Sequence, residues 1–165
     1  GSPLLNLQGE VVGLVADVIG GPAGIGGIGV AVPGDLVAQS IADLERFGVP
    51  QRGWLGASLI SLDELPPVLL RAVGLTSTQG AMVDRVEPGS PAARAGLKGA
   101  QRDTQGRLLA LGDVILAVDG VAVKDKADVV RLVAQRRPGD RVRLTLWRDR
   151  RRLEVTVVLM ARPRE

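Results

Sequence analysis

The chain has 165 residues, of which 45% are hydrophobic and 24% are charged, so it can fold into one domain of about 100 residues plus part of another. It contains neither His nor Cys, which excludes a Ser-His-Asp triad, a Cys-His pair, a thiolate zinc site and a disulfide built from this chain alone. The formal charge is +3, but only three aromatic residues accompany the 21 Lys and Arg. These are too few for a base-stacking surface, so nucleic acid is not an expected partner.

The first 53 residues predict a short β structure followed by one helix. Three apolar runs predict strands over 5–7, 11–18 and 28–32, with a Gly-rich loop over 20–27 before the third strand. Asp35 is predicted to cap a helix that ends at Gly48, and residues 50–53 are typical of a linker. Because three strands and one helix cannot close a core, we expect this segment to be the end of a larger domain.

Beyond the linker, the predicted element order is β-α-β-α-β-β-α-β-β, which favours a small, partly open β-barrel with capping helices, an α+β fold that is mostly β. Strands are predicted over 55–60, 81–86, 114–118, 121–123, 142–146 and 153–157, and helices over 66–74, 91–96 and 126–136. Ser90 and Asp125 are predicted helix caps, and Asp119-Gly120 a hairpin turn. Residues 98–110 are predicted to form a polar loop.

Three segments of this second part resemble the most recognisable segments of bacterial-type PDZ domains: Gly53–Ala57, Gly89–Leu97 and Leu111–Gly120. The first is similar to a carboxylate-binding loop. Together with the predicted helix after Asp125, the resemblance implies a PDZ domain over residues 50–162.

The upstream part has a resemblance of its own. Pro3–Asn6, Gly9–Gly13 and Gly26–Pro33 are similar to the C-terminal end of the trypsin-like protease domain of HtrA/Deg serine proteases. Residues 1–48 would then be the last strands and linking helix of such a domain, and the chain a C-terminal fragment of an HtrA/Deg-like endopeptidase. The loop from Lys98 to Leu111 resembles that of single-PDZ members of the photosynthetic Deg type.

The family's nucleophile motif places its Ser three positions before the Pro that corresponds to Pro3, so Ser2 is out of register. Without His the chain alone is expected to be inactive, with no catalytic residue, metal site or cofactor. The resemblance implies that the parent enzyme is exported, periplasmic or membrane-associated, acts in protein quality control, and assembles as a trimer or larger. The fragment itself would be a monomer or weak dimer.

The predicted function of the fragment is to bind C-terminal or extended hydrophobic segments of substrate proteins by β-strand addition to a sheet edge. Two glycines before that edge would turn the N–H groups of Leu55, Gly56 and Ala57 toward a carboxylate, and Arg52 would add a positive field. The predicted peptide-binding residues are Arg52, Gly53, Trp54, Leu55, Gly56, Ala57, Ser58, Leu59, Ala127 and Val130.

Other interpretations remain open at this stage. The chain could be an adaptor or scaffold module whose groove is filled by its own residues 1–33 or by a second chain, or, less in keeping with its composition, an enzyme in its own right. The Arg cluster at 148–152 favours a solvated hairpin tip over a site for an acidic partner. Asp113 and Asp119, each next to Gly, are typical of turns rather than metal ligands.

Overall fold

The computed structural model describes residues 1–19 and 27–163. The predicted Gly-rich loop over 20–27 therefore lies almost wholly outside the described residues. The chain divides into two compact units, Gly1–Gln51 and Arg52–Glu165.

The described part of the first unit contains a three-stranded antiparallel sheet in the order β1-β2-β3, followed by helix α1. The bounds are β1 Pro3–Leu5, β2 Val11–Ile19, β3 Ile28–Pro33 and α1 Gly34–Phe47. The number of strands and the helix are confirmed, but β1 lies two residues earlier than predicted and shares only Leu5 with the predicted strand. The predicted cap is wrong, because Pro33 occupies the N-cap position and forms no side-chain hydrogen bond. Asp35 lies instead in the first turn, where the helix dipole stabilises its negative charge. The helix ends at Gly48 with φ of +70°.

The first unit leaves much of its apolar surface exposed. On α1 the exposed apolar side chains are Leu36, Ile41, Leu44 and Phe47, and on the strands they are Leu4, Leu5, Val11, Val12, Val18, Ile19, Ile28 and Val30. Both apolar core clusters found among the described residues lie instead in the second unit. The buried core of the described chain is therefore that of residues 52–163.

The second unit is built mainly from strands. They are β4 Gly53–Trp54, β5 Ala57–Ser61, β6 Ala81–Val86, β7 Gln101–Arg102, β8 Leu108–Ala110, β9 Val114–Val118, β10 Val121–Ala122, β11 Arg141–Arg148, β12 Arg151–Val158 and β13 Met160–Ala161. The helices are α2 Pro67–Ala72, α3 Pro91–Arg94 and α4 Lys126–Ala134, with a 3₁₀ turn at Leu62–Glu64.

One antiparallel sheet organises this unit, in the order β12-β11-β9-β6-β5 with β10 paired to β9. Two further strand pairs, β13-β4 and β7-β8, lie outside it. The mostly β fold with few helices is confirmed, and its sheets stay open rather than closing into a barrel. Consequently β5 is an end strand of the six-stranded sheet within the described residues.

Alternating side chains explain how the sheet buries one face. Val142, Leu144 and Leu146 of β11 are fully buried, and they alternate with exposed or half-buried residues as the sequence predicts. Helix α4 covers this face and contributes Val129 and Val133 to the same cluster. The groove described below lies where this helix meets the end of the sheet.

Local capping predictions are confirmed at two helices. The Ser90 hydroxyl accepts a hydrogen bond from the Ala93 N–H at 3.2 Å, and the Asp125 carboxylate accepts one from the Asp128 N–H at 2.9 Å. These bonds satisfy amides that the helices leave unpaired. In the described chain no helix is both long enough and apolar enough to cross a membrane.

The predicted polar loop over 98–110 is not irregular, because it contains the β7-β8 hairpin. The carboxylate of Asp103 accepts hydrogen bonds from the N–H groups of Gln105 and Arg107 at 2.9 and 2.8 Å. Arg102 also pairs with Asp84 of β6. The Asp103 side chain organises the turn, and the Arg102–Asp84 ion pair joins the hairpin to β6. This segment therefore has a defined structure.

Candidate functional site

A cavity of about 210 Å³ lies in the second unit between the β5 end of the sheet and helix α4. Its lining residues are Arg52, Gly53, Trp54, Leu55, Gly56, Ala57, Leu59, Val129, Val130, Val133, Ala134 and Arg162. Most of these side chains are apolar and none is acidic. The cavity can therefore accommodate an apolar group next to a negative charge.

Among residues 1–19 and 27–163, no strand pairs with the outer side of β5. The Glu87 N–H donates to the Gly56 carbonyl at 2.9 Å, and Ala57 is the partner of Val86 in the register of β5 with β6. Hydrogen-bonded and non-hydrogen-bonded pairs alternate in an antiparallel ladder, so the Ala57–Val86 pair is a non-hydrogen-bonded one. The Ala57 N–H therefore faces away from β6, toward the open edge.

The turn before β5 presents two further amides. The Leu55 carbonyl accepts from the Ala92 N–H at 2.9 Å, so the turn is held through its carbonyl oxygens. Within residues 1–19 and 27–163, the N–H groups of Leu55 and Gly56 donate to no acceptor. Gly56 has φ of +73°, the left-handed conformation that orients successive N–H groups into an anion-binding concavity.

Both glycines of this turn are also required by close packing. A Cβ on Gly56 would lie 2.2 Å from the Cβ of Ser90. A Cβ on Gly53 would lie 2.6 Å from both the Leu159 side chain and the Val133 carbonyl oxygen. Gly53 has an ordinary φ, and its N–H donates to the Arg136 carbonyl at 2.7 Å. Gly53 thus anchors the turn to the end of α4, whereas Gly56 shapes the turn itself.

Two guanidinium groups stand at the turn end of the cavity. Strand β13 pairs with β4 so that Ala161 is the partner of Gly53, which brings Arg162 close to Arg52. Both are exposed lining residues, and neither forms an ion pair with any residue of the described chain. Like charges side by side favour an anion between or beside them.

The structure brings eight of the ten sequence-predicted residues together in this cavity, from Arg52 through Ala57 together with Leu59 and Val130. Ser58 is exposed, as expected for the opposite face of a strand from Ala57 and Leu59. Ala127 is an exposed residue one helical turn before Val130 and does not line the cavity.

Four lining residues were not predicted: Val129, Val133, Ala134 and Arg162. Val133 and Ala134 follow from helical periodicity, since they lie three and four positions after Val130 on α4 and share its face. Arg162 carries no such signal, because its position depends on pairing between strands more than 100 residues apart in the chain. No cluster that could hold a metal ion occurs among residues 1–19 and 27–163.

An open edge strand, a turn with free amides and an adjoining helix are here combined in one unit, and residues 53–159 match the PDZ domain family. The chain belongs to this family. The match ends near β13, so the PDZ domain contains every element of the groove apart from its flanking arginines.

Two relatives match all or nearly all of this chain. One of Brucella suis, named as a DegP-like periplasmic serine endoprotease, is 32% identical over 165 residues, 100% of this chain and 29% of the relative. One of Halomonas elongata with the same name is 35% identical over 160 residues, 96% of this chain and 30% of the relative. The chain thus spans about 30% of the length of these relatives.

Solved structures agree with these relatives. An HtrA-type protease AlgW with a decapeptide is 29% identical and covers 99% of this chain and 46% of its own, with a TM-score of 0.70. The same protease with a tripeptide gives a TM-score of 0.72, again at 29% identity, and covers 99% of this chain and 49% of its own. The resemblance to HtrA/Deg-type serine proteases, and not only to PDZ domains, is confirmed.

Proposed function

We propose that the PDZ domain of this chain binds C-terminal or extended hydrophobic segments of other polypeptides by β-strand addition. The observation that carries the proposal is the set of amides of Leu55, Gly56 and Ala57, which no described residue uses, at the open end of a sheet. Main-chain pairing supplies affinity with little demand on ligand sequence. AlgW, whose structures were solved with a decapeptide and a tripeptide, gives independent support.

In the proposed complex the ligand lies antiparallel to β5, and its terminal carboxylate accepts hydrogen bonds from the amides of the turn. The positive charges of Arg52 and Arg162 favour that carboxylate. The last side chain of the ligand enters the cavity beside Leu59 and Val130. Ala57 is small, so the cavity admits Leu, Ile, Val or Phe at the ligand terminus. Ordering a few ligand residues costs conformational entropy, which offsets part of the binding free energy from these contacts. We therefore expect a Kd on the order of 10 μM.

For the whole protein we propose a serine endopeptidase that acts in protein quality control in the periplasm, where its relatives are named to lie. Residues 1–48 would be the last strands and linking helix of its trypsin-like domain. Since this chain has no His, a Ser-His-Asp triad needs residues outside it. The role of the PDZ domain would be to deliver polypeptide ends to that enzyme.

A pair of synthetic peptides tests the binding proposal. The hexapeptide acetyl-Gly-Gly-Ser-Ala-Val-Leu is titrated into the chain by calorimetry, once with a free C-terminus and once as the amide. Loss of the charged acceptor should weaken binding about tenfold or more, since hydrogen bonds to charged groups contribute about 1.5–3 kcal/mol. Equal affinity of the two peptides would show that the turn amides do not receive a carboxylate.

The N-terminal strands pair with one another in the described residues, so no observation favours a groove filled by the chain itself. Gel filtration of the chain with and without residues 1–40 provides the complementary test. A dimer that depends on concentration and becomes a monomer upon deletion would support the self-filled alternative and contradict the open groove.

A further inference from the structure

A second and larger cavity of about 560 Å³ lies elsewhere in the PDZ domain and shares no residue with the peptide-binding groove. Three segments surround it: the end of α2, the base of the β7-β8 hairpin and the turn between β11 and β12. We propose that this cavity, hereafter the hairpin pocket, docks an acidic segment of a partner polypeptide that carries an apolar side chain beside its carboxylates.

The walls of the hairpin pocket are held by hydrogen bonds between distant segments. The Trp147 indole N–H donates to the Val73 carbonyl at 3.0 Å, and an Arg150 Nη2 donates to the Ala72 carbonyl at 2.9 Å. These bonds fix the β11-β12 turn against the end of α2. The pocket is therefore preorganised, which lowers the entropic cost of binding.

The charge inside the hairpin pocket is positive because its buried carboxylate is already neutralised. Asp113 is bound at both oxygens by Arg148. Lys98 is held by its backbone, whose N–H donates to Asp113 at 2.7 Å, while its Nζ has no hydrogen bond or ion pair within the described chain. Among the lining residues, only the exposed Asp149 then offsets the positive charges of Lys98 and Arg150, which leaves one positive charge in excess.

Apolar side chains lie beside these cations. Leu109 of the β7-β8 hairpin is 67% exposed, and Val73, Leu111 and Trp147 line the same pocket half-buried. A small inorganic anion would leave this apolar surface uncovered, whereas a peptide with Glu next to Leu matches both parts. The charge of residues 54–165, which is +6, attracts such an acidic partner at longer range.

The test uses a peptide without a free C-terminal carboxylate for the peptide-binding groove, acetyl-Gly-Leu-Glu-Glu-Leu-Gly-amide, and a control in which both Glu are Lys. Calorimetry on the unaltered chain gives affinity, and fluorescence of a Trp54→Phe variant, whose remaining indole is Trp147, reports the site. We expect saturable binding with a Kd below about 1 mM, a change in Trp147 emission, and no binding of the Lys peptide.

Matched charge reversals locate the contact. Lys98→Glu should weaken the acidic peptide about fivefold or more, whereas Arg141→Glu, an equal charge change at an exposed position outside the pocket, should weaken it less than about twofold. The proposal would be overturned by any of four results: equal effects of the two reversals, equal binding of the Lys peptide, competition by free glutamate at matched carboxylate concentration, or no binding at 1 mM. Because the peptide is amidated, failure here leaves the carboxylate-groove proposal untouched.

Discussion

Arg148 binds Asp113 at two points, with its Nε 2.6 Å from Oδ1 and its Nη2 2.5 Å from Oδ2. The Asp113 side chain is 1% exposed and also accepts the Lys98 N–H. Hydrogen bonding to this carboxylate raises the pKa of Arg148. The interpretation of Arg148 as part of a solvated hairpin tip is therefore wrong, and Asp113 is more than a turn former because it joins β9 to β11 and to residue 98.

Removing Arg148 should be strongly destabilising. Arg148→Met leaves a buried carboxylate without its partner, which costs about 3–5 kcal/mol in the free energy of unfolding. Urea denaturation followed by circular dichroism measures it. Arg151→Met, at an exposed position of β12, is the control and should change stability by less than about 0.5 kcal/mol. A similar loss in both variants would mean that the pair contributes little.

Alanine substitutions at Gly56 and Gly89, both with positive φ, distinguish the effect of a steric clash from that of backbone strain. Gly56→Ala and Gly89→Ala impose the same left-handed strain, at φ of +73° and +74°, of about 1 kcal/mol. Only the Cβ at 56 also collides with Ser90, since nothing lies within 4 Å of one at 89.

We therefore expect Gly56→Ala to lower peptide affinity about tenfold or more, because the turn amides must move, while Gly89→Ala leaves affinity within about twofold. Calorimetry with the free-acid hexapeptide measures both. Retained affinity in Gly56→Ala would contradict the assigned role of the turn.

On helix α4, Val130 lines the groove and Ala127 does not. Val130→Glu removes an apolar contact and places a carboxylate near that of the ligand, so affinity for the free-acid hexapeptide should fall about fivefold or more. Ala127→Glu makes the same charge change one turn away and should lower affinity less than about twofold. Both positions are exposed, so thermal unfolding should show both variants folded. The reverse order of effects would place the ligand closer to the N-terminal end of α4.

Asp119 should make stability depend on pH. A hydrogen bond from the Arg143 N–H at 2.8 Å and then the Arg136 guanidinium at 2.7 Å lower the pKa of its carboxyl below the ordinary value. A group with a lowered folded-state pKa stabilises the fold above its unfolded pKa, and that contribution is lost as pH falls through the folded value.

Asp119→Asn should accordingly reduce the free energy of unfolding at pH 7 by about 1–2 kcal/mol, and the gap to the unaltered chain should narrow below about pH 4. Asp149→Asn is a matched control, because both residues have φ of 50°, which Asn tolerates, and Asp149 is exposed. It should cost less than about 0.5 kcal/mol at pH 7. A gap for Asp119→Asn that is constant with pH would contradict the assignment.

Features encoded within a few neighbouring residues could be predicted without coordinates. The Ser90 cap, the Asp119-Gly120 turn and the alternation along β11 each depend on dihedral preferences or side-chain periods that act locally. The eight predicted residues that line one cavity could be grouped for a similar reason, since seven of them are nearly consecutive in the chain.

Relationships between distant segments needed the folded chain. The Arg148–Asp113 pair, the approach of Arg162 to the groove and the collision space around Gly56 each join residues that are 35 or more positions apart or lie on different elements. Local preferences do not specify where two such segments meet. Their meeting point depends on the order and register of all the strands that lie between them in the sheet. For the same reason, amide availability at Leu55 and Gly56 is a property of the tertiary structure.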